Sequence, residues 1–244
     1  MSRKAFPFIL TNAIALALFC GESTAQQSGG EAGRDEYSGK AITSQKMAFD
    51  MVKTRNRNVP RPGEAAPDAQ LYSLTKKENV TISSLYRDKP VVLLITSWTC
   101  DVFRESFGGL VSLAAEYEED VNFAMIYIRE AHPATTEMRD YSRVPDPRSD
   151  EERKRAAQQC ARQMRIPFEI LVDPVSDPVA TRWGAWPVRL FVIDTNGIVS
   201  YSGRQGPWGY RPYEGFVHGP EEVAKEDPDF SSGSLEEWLC RRFP

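Results

Sequence analysis

Apolar and polar positions alternate between two periods along this chain, and the change of period predicts its elements. From about residue 63 onward, short apolar runs suited to strands are separated by longer segments with helical spacing. Val80 to Ser83 reads as a short strand and Val91 to Thr96 as a buried one. Phe103 to Tyr117 reads as a helix with Phe103, Phe107, Leu110, Val111 and Ala114 on its apolar face, and Val121 to Ile128 as the next strand. Ser149-Asp150-Glu151-Glu152 has the form of a capping box opening a helix to about Met164. A strand from Phe168 to Val172, a short helix from Asp177 to Trp183 and a strand from Val188 to Asp194 follow. Thr195-Asn196-Gly197 then turns the chain into Ile198 to Ser202, so the last two strands form an antiparallel hairpin. Ser234-Leu235-Glu236-Glu237 caps a terminal helix ending near Arg242.

Parallel strand-helix-strand units followed by an antiparallel hairpin and a helix give the thioredoxin-like order: an α/β domain with a central mixed sheet, flanking helices and an N-terminal extension. A doubly wound nucleotide binder is the competing arrangement, but no glycine-rich phosphate loop follows any strand. The domain spans residues 61–244 and carries an insertion at about 213–230, either a lid or a long loop. Residues 26–60 form an extension of linker composition, with one helix expected between Tyr37 and Asn58. Residues 1–25 have the pattern of an export signal: Arg3 and Lys4, an apolar stretch from Ala5 to Phe19, then Ser23-Thr24-Ala25 before Gln26. Anchoring through residues 5–19, or lipid attachment at Cys20, is the lesser reading, because Phe19 is a poor lead-in to a lipidated cysteine.

Charge narrows the functions. Without Arg3, Lys4 and Glu22 the mature chain holds 28 basic and 33 acidic residues, net −5, and lacks the concentrated basic face that nucleic acid requires. Three cysteines then remain, Cys100, Cys160 and Cys240. An odd number leaves at least one thiol free or intermolecular, so a homodimer stays open, and a disulfide-stapled scaffold is excluded.

Cys100 closes the apolar run Pro90 to Thr99 and precedes a helix. The unpaired N–H groups and dipole of a helix start favour a thiolate, which marks Cys100 as a redox thiol; a buried structural cysteine is the alternative. Thr99-Cys100-Asp101-Val102-Phe103 contains no Cys-x-x-Cys, so the chemistry rests on one sulfur. Tyr127-Ile128-Arg129-Glu130-Ala131-His132 ends the strand expected beside the Cys100 strand. Glu130 and His132 should therefore meet Cys100 at one sheet edge, His132 handling protons and Glu130 orienting it. A surface histidine at a strand end is the bland reading. Pro187, just before a strand facing the thiol, occupies the usual place of a cis-proline, or is an ordinary strand-initiating proline.

Ser97-Trp98-Thr99-Cys100, a helix of suitable length and Ile126-Tyr127-Ile128-Arg129-Glu130-Ala131-His132 together resemble the iodothyronine deiodinase family. Its members have Ser-x-Thr-selenocysteine followed by Tyr-Ile-Glu-Glu-Ala-His at this spacing. Arg189-Leu190-Phe191-Val192-Ile193 and Gly203-Arg204-Gln205-Gly206-Pro207-Trp208-Gly209-Tyr210 are similar to its Arg-Leu-Tyr strand and Gly-x-x-Gly-Pro-x-x-Tyr segment. The resemblance covers roughly residues 60 to 212. It implies that Cys100 stands for the catalytic selenocysteine, Glu130 and His132 for the proton-handling pair, and Ser97, Thr99 and Tyr127 for pocket-lining residues. The implied reaction is reductive removal of iodide from an aromatic ring, reset by an external thiol reductant, with no metal or cofactor.

The chain departs from the family in three places. Asp101 stands where a proline is expected, Pro187 stands where vertebrate members carry another residue, and no histidine lies between His132 and His218 to match the family's distal one. Trp208 and Tyr210 could floor an aromatic pocket, or Trp208 be loop packing, and Arg204 could bind a carboxylate or be solvated. Cys160 is a candidate resolving thiol. Two other functions compete. A peroxide-reducing or thiol-disulfide enzyme is one, although Leu93 and Ser97 occupy the Pro and Thr places of the peroxiredoxin Pro-x-x-x-Thr-x-x-Cys motif. A non-catalytic binding module is the other.

Overall fold

The computed structural model describes residues 43–134, 144–216, 218–219 and 230–244. Its centre is β3, Val91–Thr96, in which all six residues are buried. A strand covered on both faces needs no polar alternation, which is why Val-Val-Leu-Leu-Ile reads as one apolar run. β4, Asn122–Tyr127, lies parallel to β3 with Thr96 opposite Tyr127, and β6, Val188–Ile193, lies antiparallel to it with Thr96 opposite Val188. β5, Glu169–Val172, extends the sheet parallel to β4, and β7, Val199–Ser202, pairs antiparallel with β6. Two further strands, β1 (Gln70–Ser73) and β2 (Asn79–Thr81), complete the order β2-β1-β5-β4-β3-β6-β7.

Side-chain parity divides the core. Val92, Leu94, Met125, Tyr127, Leu190 and Val192 face one side, where they meet Phe103 and Leu110 of α2 (Asp101–Glu116), Ala157 and Cys160 of α3 (Asp150–Met164), and Leu235 and Leu239 of α5 (Leu235–Arg242). Val91, Leu93, Ile95, Ile126 and Phe191 face the other side, against Ile82, Trp183 and the Val179-Ala180 pair of α4 (Pro178–Arg182). This is the thioredoxin-like architecture expected from the element order. Among the described residues, no helix is long and apolar enough to cross a membrane.

Several details differ from the sequence expectation. β1 is missing from it, because four residues with a single fully apolar inward position leave little periodic signal. Ile82 and Ser83 belong not to a strand but to a 3-10 turn, Ile82–Leu85. The buried face of α2 runs through Val102, Phe103, Ser106, Leu110 and Leu113 rather than Val111 and Ala114. Ser149 caps α3 through the Glu152 N–H, but the Glu152 carboxylate accepts from the Arg148 N–H at 2.7 Å, one residue before the cap. Ser234 and Glu237 form the full reciprocal box at α5. In the β6–β7 turn, Asp194 Oδ1 accepts from the Asn196 and Ile198 N–H groups, and Gly197 takes the positive φ of 79° that the turn requires.

Of the stretch expected to form one helix between Tyr37 and Asn58, residues 43 onward are described, and they contain α1, Gln45–Arg55, capped by Ser44. Its end is tied to the sheet through a buried arginine. Arg189, in β6 and fully buried, donates Nε to the Gly184 carbonyl, one Nη to the Gly203 carbonyl and the other to Asn56 Oδ1 at 2.7 Å. Gly184 fits here because a Cβ would lie 2.6 Å from the Arg55 carbonyl oxygen. Removing the Asn56 acceptor leaves a buried guanidinium short of one partner. Asn56→Ala should therefore lower the unfolding free energy by about 1–3 kcal/mol. Urea unfolding measures this, and a loss below about 0.5 kcal/mol would show that the α1 end is not held by this bond.

Candidate functional site

The Cys100 strand end and the Glu130–His132 turn are laced together. Ser97, Thr99, Tyr127 and Glu130 are all buried. One oxygen of the Glu130 carboxylate accepts from the Thr99 N–H at 3.0 Å and from the Thr99 hydroxyl at 2.7 Å; the other accepts from the Tyr127 hydroxyl. In return the Ala131 N–H donates to Ser97 Oγ at 3.1 Å and the His132 N–H to Thr99 Oγ1 at 3.0 Å. Parallel pairing of β3 and β4 ends both strands at this edge, and these bonds satisfy the backbone groups that leave the ladder.

Glu130 therefore does not orient the imidazole, as its place in the sequence suggests; it holds Thr99 and, through it, the backbone before Cys100. Burial pushes its carboxyl above the usual range, while the bonds from Tyr127 and Thr99 act against that shift. The partner of His132 is Asp101, the residue after the sulfur. His132 Nε2 lies 3.7 Å from Asp101 Oδ1, and hydrogen bonding to His132 is the main cause that holds the Asp101 carboxyl below its ordinary value. The other ring nitrogen, Nδ1, is buried with no hydrogen-bond partner.

Cys100 is the N-cap residue of α2 and fully buried. Its thiol is pushed up to about 12, with burial the largest cause. The nearby Phe103 N–H, Thr96 hydroxyl and Val102 N–H dipoles act against that shift, and the Asp101 charge adds to it. The helix-start effect expected from the sequence is thus present but outweighed. Cys100, Cys160 and Cys240 are all free thiols, and Cys240 is the exposed one, 3.2 Å from the Tyr117 hydroxyl.

The remaining expected residues divide into two groups. Pro187 reaches the site: its peptide bond with Trp186 is cis, and its carbonyl accepts from the Thr96 hydroxyl at 3.1 Å. Tyr210, which the sequence offers with Trp208 as a pocket floor, is fully buried and contacts Ser106 Oγ through its hydroxyl at 3.3 Å. Cys160 lies on the same sheet face, its thiol raised by burial and then by the Glu130 charge, with Sγ donating to Met164 Sδ at 3.8 Å. Trp208 instead packs against Ala48 and Met51 of α1, and Arg204 lies beside Tyr201. The insertion begins over α2: the Tyr213 ring occupies the space of a Gly109 side chain, Phe216 packs edge-on to Tyr210, and His218 Nδ1 is 3.0 Å from Glu105 Oε2. Residues 217 and 220–229 of the insertion lie outside the described residues.

Comparison with known proteins gives the family of the chain. The iodothyronine deiodinase family model matches residues 25–217. A thyroxine 5-deiodinase of Sus scrofa is 31% identical over 172 residues, 65% of this chain and 55% of that protein. A type I iodothyronine deiodinase of Xenopus laevis is 28% identical over 153 residues, 62% of this chain and 60% of its own length. The chain thus spans between half and two thirds of the length of these relatives. Among solved structures, an uncharacterized conserved protein from Geobacillus kaustophilus is 21% identical, with a TM-score of 0.48, covering 66% of this chain and 77% of that one. With a family model matched along most of its length, the chain belongs to the iodothyronine deiodinase family, whose members are oxidoreductases on a thioredoxin-like fold.

Proposed function

We propose that this protein is an exported, thiol-dependent oxidoreductase that removes iodide reductively from an iodinated aromatic ring, with Cys100 as nucleophile. The observation that carries the reading is the pair formed by His132 and Asp101, the residue that follows Cys100, with the His132 backbone bonded to the side chain of Thr99, the residue that precedes it. With Asp101 at Nε2, the imidazole proton belongs on Nε2, and the unpartnered Nδ1 is left as a base inside the site.

The step balances. The thiol proton leaves to His132, sulfur attacks iodine, the carbon–iodine bond breaks and its electron pair goes to the ring carbon. That carbon takes up one proton, so none is gained or lost. Sulfur then carries iodine; an external thiol displaces iodide to give a mixed disulfide, and a second thiol equivalent restores Cys100. The raised thiol makes the first proton transfer costly, so the base matters more for this cysteine than for a group already ionised at neutral pH.

Four outcomes are expected. Iodide release from an iodothyronine with dithiothreitol should vanish in Cys100→Ser and slow by about 10²-fold or more in His132→Ala. Unchanged turnover in His132→Ala, or hydrogen-peroxide reduction outpacing iodide release in the wild type, would overturn these roles. Because the Cys100 thiol sits near 12, its thiolate fraction grows about tenfold per pH unit from pH 7 to 10 with no plateau, and its alkylation rate in the folded protein should follow. Peptide mapping after limited iodoacetamide should also show exposed Cys240 labelled before buried Cys100. A Cys100 plateau below pH 9 would mean that the sulfur is far less buried in solution. Export, supported by the Ala5 to Phe19 run and Ser23-Thr24-Ala25, is checked by the intact mass of the secreted protein, expected to begin at Gln26. A mass retaining residues 1–25 would refute it.

A further inference from the structure

Cys100 is fully buried, so no molecule reaches its sulfur until something that covers it moves. Val102, Val188 and Tyr210 share the apolar cluster around it, and Tyr213 and Phe216, only partly buried, pack against that cluster from outside. The Gly206 N–H donates to the Val188 carbonyl at 3.0 Å and brings the chain so close that a Cβ there would collide with Val188 and press on Val102. Tyr210 follows, its hydroxyl 3.3 Å from Ser106 Oγ on α2, and the insertion begins beyond it.

The insertion has one firm end. The Leu235 and Glu236 N–H groups at the start of α5 donate to the Arg211 and Pro212 carbonyls at 3.0 and 3.1 Å, and the Glu236 carboxylate accepts from the Glu214 N–H at 2.7 Å. Further on, side chains do the fastening. Asp101, Glu105 and Gly109 stand four residues apart and form one stripe along α2. The Tyr213 ring lies where a Gly109 side chain would be, and His218 Nδ1 reaches Glu105 Oε2 at 3.0 Å. Phe216 stands edge-on to Tyr213 and to Tyr210, with ring centroids 5.3 and 6.0 Å apart. The stripe ends at Asp101, the partner of His132. Behind its hydrogen bond to His132, the charge of His218 is among the lesser causes that hold the Asp101 carboxyl low.

We propose that Tyr213, Phe216 and His218 form a strap that lifts from the Asp101–Glu105–Gly109 stripe to admit a molecule to Cys100, turning about its firm end at Arg211 and Pro212. The side chains of His218 and Glu105 are 25% and 60% exposed, and such a pair is a weak fastening. A glycine niche, two edge-on ring contacts and one exposed pair open more readily than the ladder beneath, in which β3 is bonded on both sides. Closing segments of this kind keep water from a reacting group and commit the molecule they cover. Access to the sulfur is separate from the reaction it performs, so alkylation reads the strap whether or not iodide is the leaving group.

Iodoacetamide labelling of the full chain at fixed pH, followed by peptide mapping of Cys100 and Cys160, tests it. Gly109→Ala fills the niche of the Tyr213 ring while giving α2 a better helix former, so the helix should persist. Cys100 should then label about tenfold faster or more. His218→Ala removes the exposed pair and should raise the Cys100 rate about threefold. Cys160, equally buried but on α3, reports loosening of the whole sheet face, and its rate should stay within about twofold of wild type in both variants. An unchanged Cys100 rate in either variant, or a rise shared equally by Cys100 and Cys160, would overturn the proposal.

Discussion

Everything at the thiol edge depends on one buried carboxylate. Glu130 sits at 3% exposure, where an ionised group without partners would cost several kcal/mol. Its acceptors are filled by the Thr99 N–H, the Thr99 hydroxyl and the Tyr127 hydroxyl. Because the Thr99 hydroxyl donates to Glu130 and accepts from the His132 N–H, one side chain fixes both the backbone before the sulfur and the backbone carrying the imidazole. Registry between the ends of β3 and β4 is thus set by polar satisfaction, since the apolar ladder below only requires that the correct faces be buried.

The same burial that makes the lacing strong sets the state of the sulfur. A helix start contributes up to about 2 kcal/mol towards a thiolate even in favourable sites. The shift of the Cys100 thiol from 9.0 to about 12 corresponds to roughly 4 kcal/mol against it. Desolvation wins, and Asp101 adds to it. The aspartate that opposes the thiolate is also the partner of His132. A proline in its place would remove the opposing charge and the imidazole partner together. The two departures from the family at Asp101 and at the sulfur itself are therefore linked through one carboxylate.

Most strands and helices were legible because each has its own period. Val91–Thr96 could be bounded to the residue, as a six-residue apolar run between Pro90 and Ser97 has no alternative register. The pairing of Cys100 with the Glu130–His132 turn followed from strand order alone. The contacts within the site were not legible. That Glu130 serves Thr99 and His132 faces Asp101 depends on where side chains point after two strands end, which no periodicity encodes. β1 was missed because a four-residue edge strand owes its form to pairing with β5, a contact far away in sequence. Trp208 was a reasonable pocket candidate from its glycine neighbours, yet its apolar partners came from α1, whose docking depends on Asn56 meeting Arg189.

Arg129 shows how one residue between two functional ones can join separate parts of the molecule. In β4 the alternation of faces sends Tyr127 to the side of α2 and α3 and Ile126 and Ile128 to the side of α4. Beyond the strand, Arg129 reaches Trp186 and Asp177 near α4, while Glu130 turns to Thr99. Trp186 closes the circuit by donating to the Glu130 carbonyl. The peptide unit between Glu130 and Ala131 is therefore bonded on both sides, its carbonyl to Trp186 and its N–H to Ser97. The backbone that positions His132 is restrained from both faces of the sheet, by hydroxyls on one and by an indole on the other.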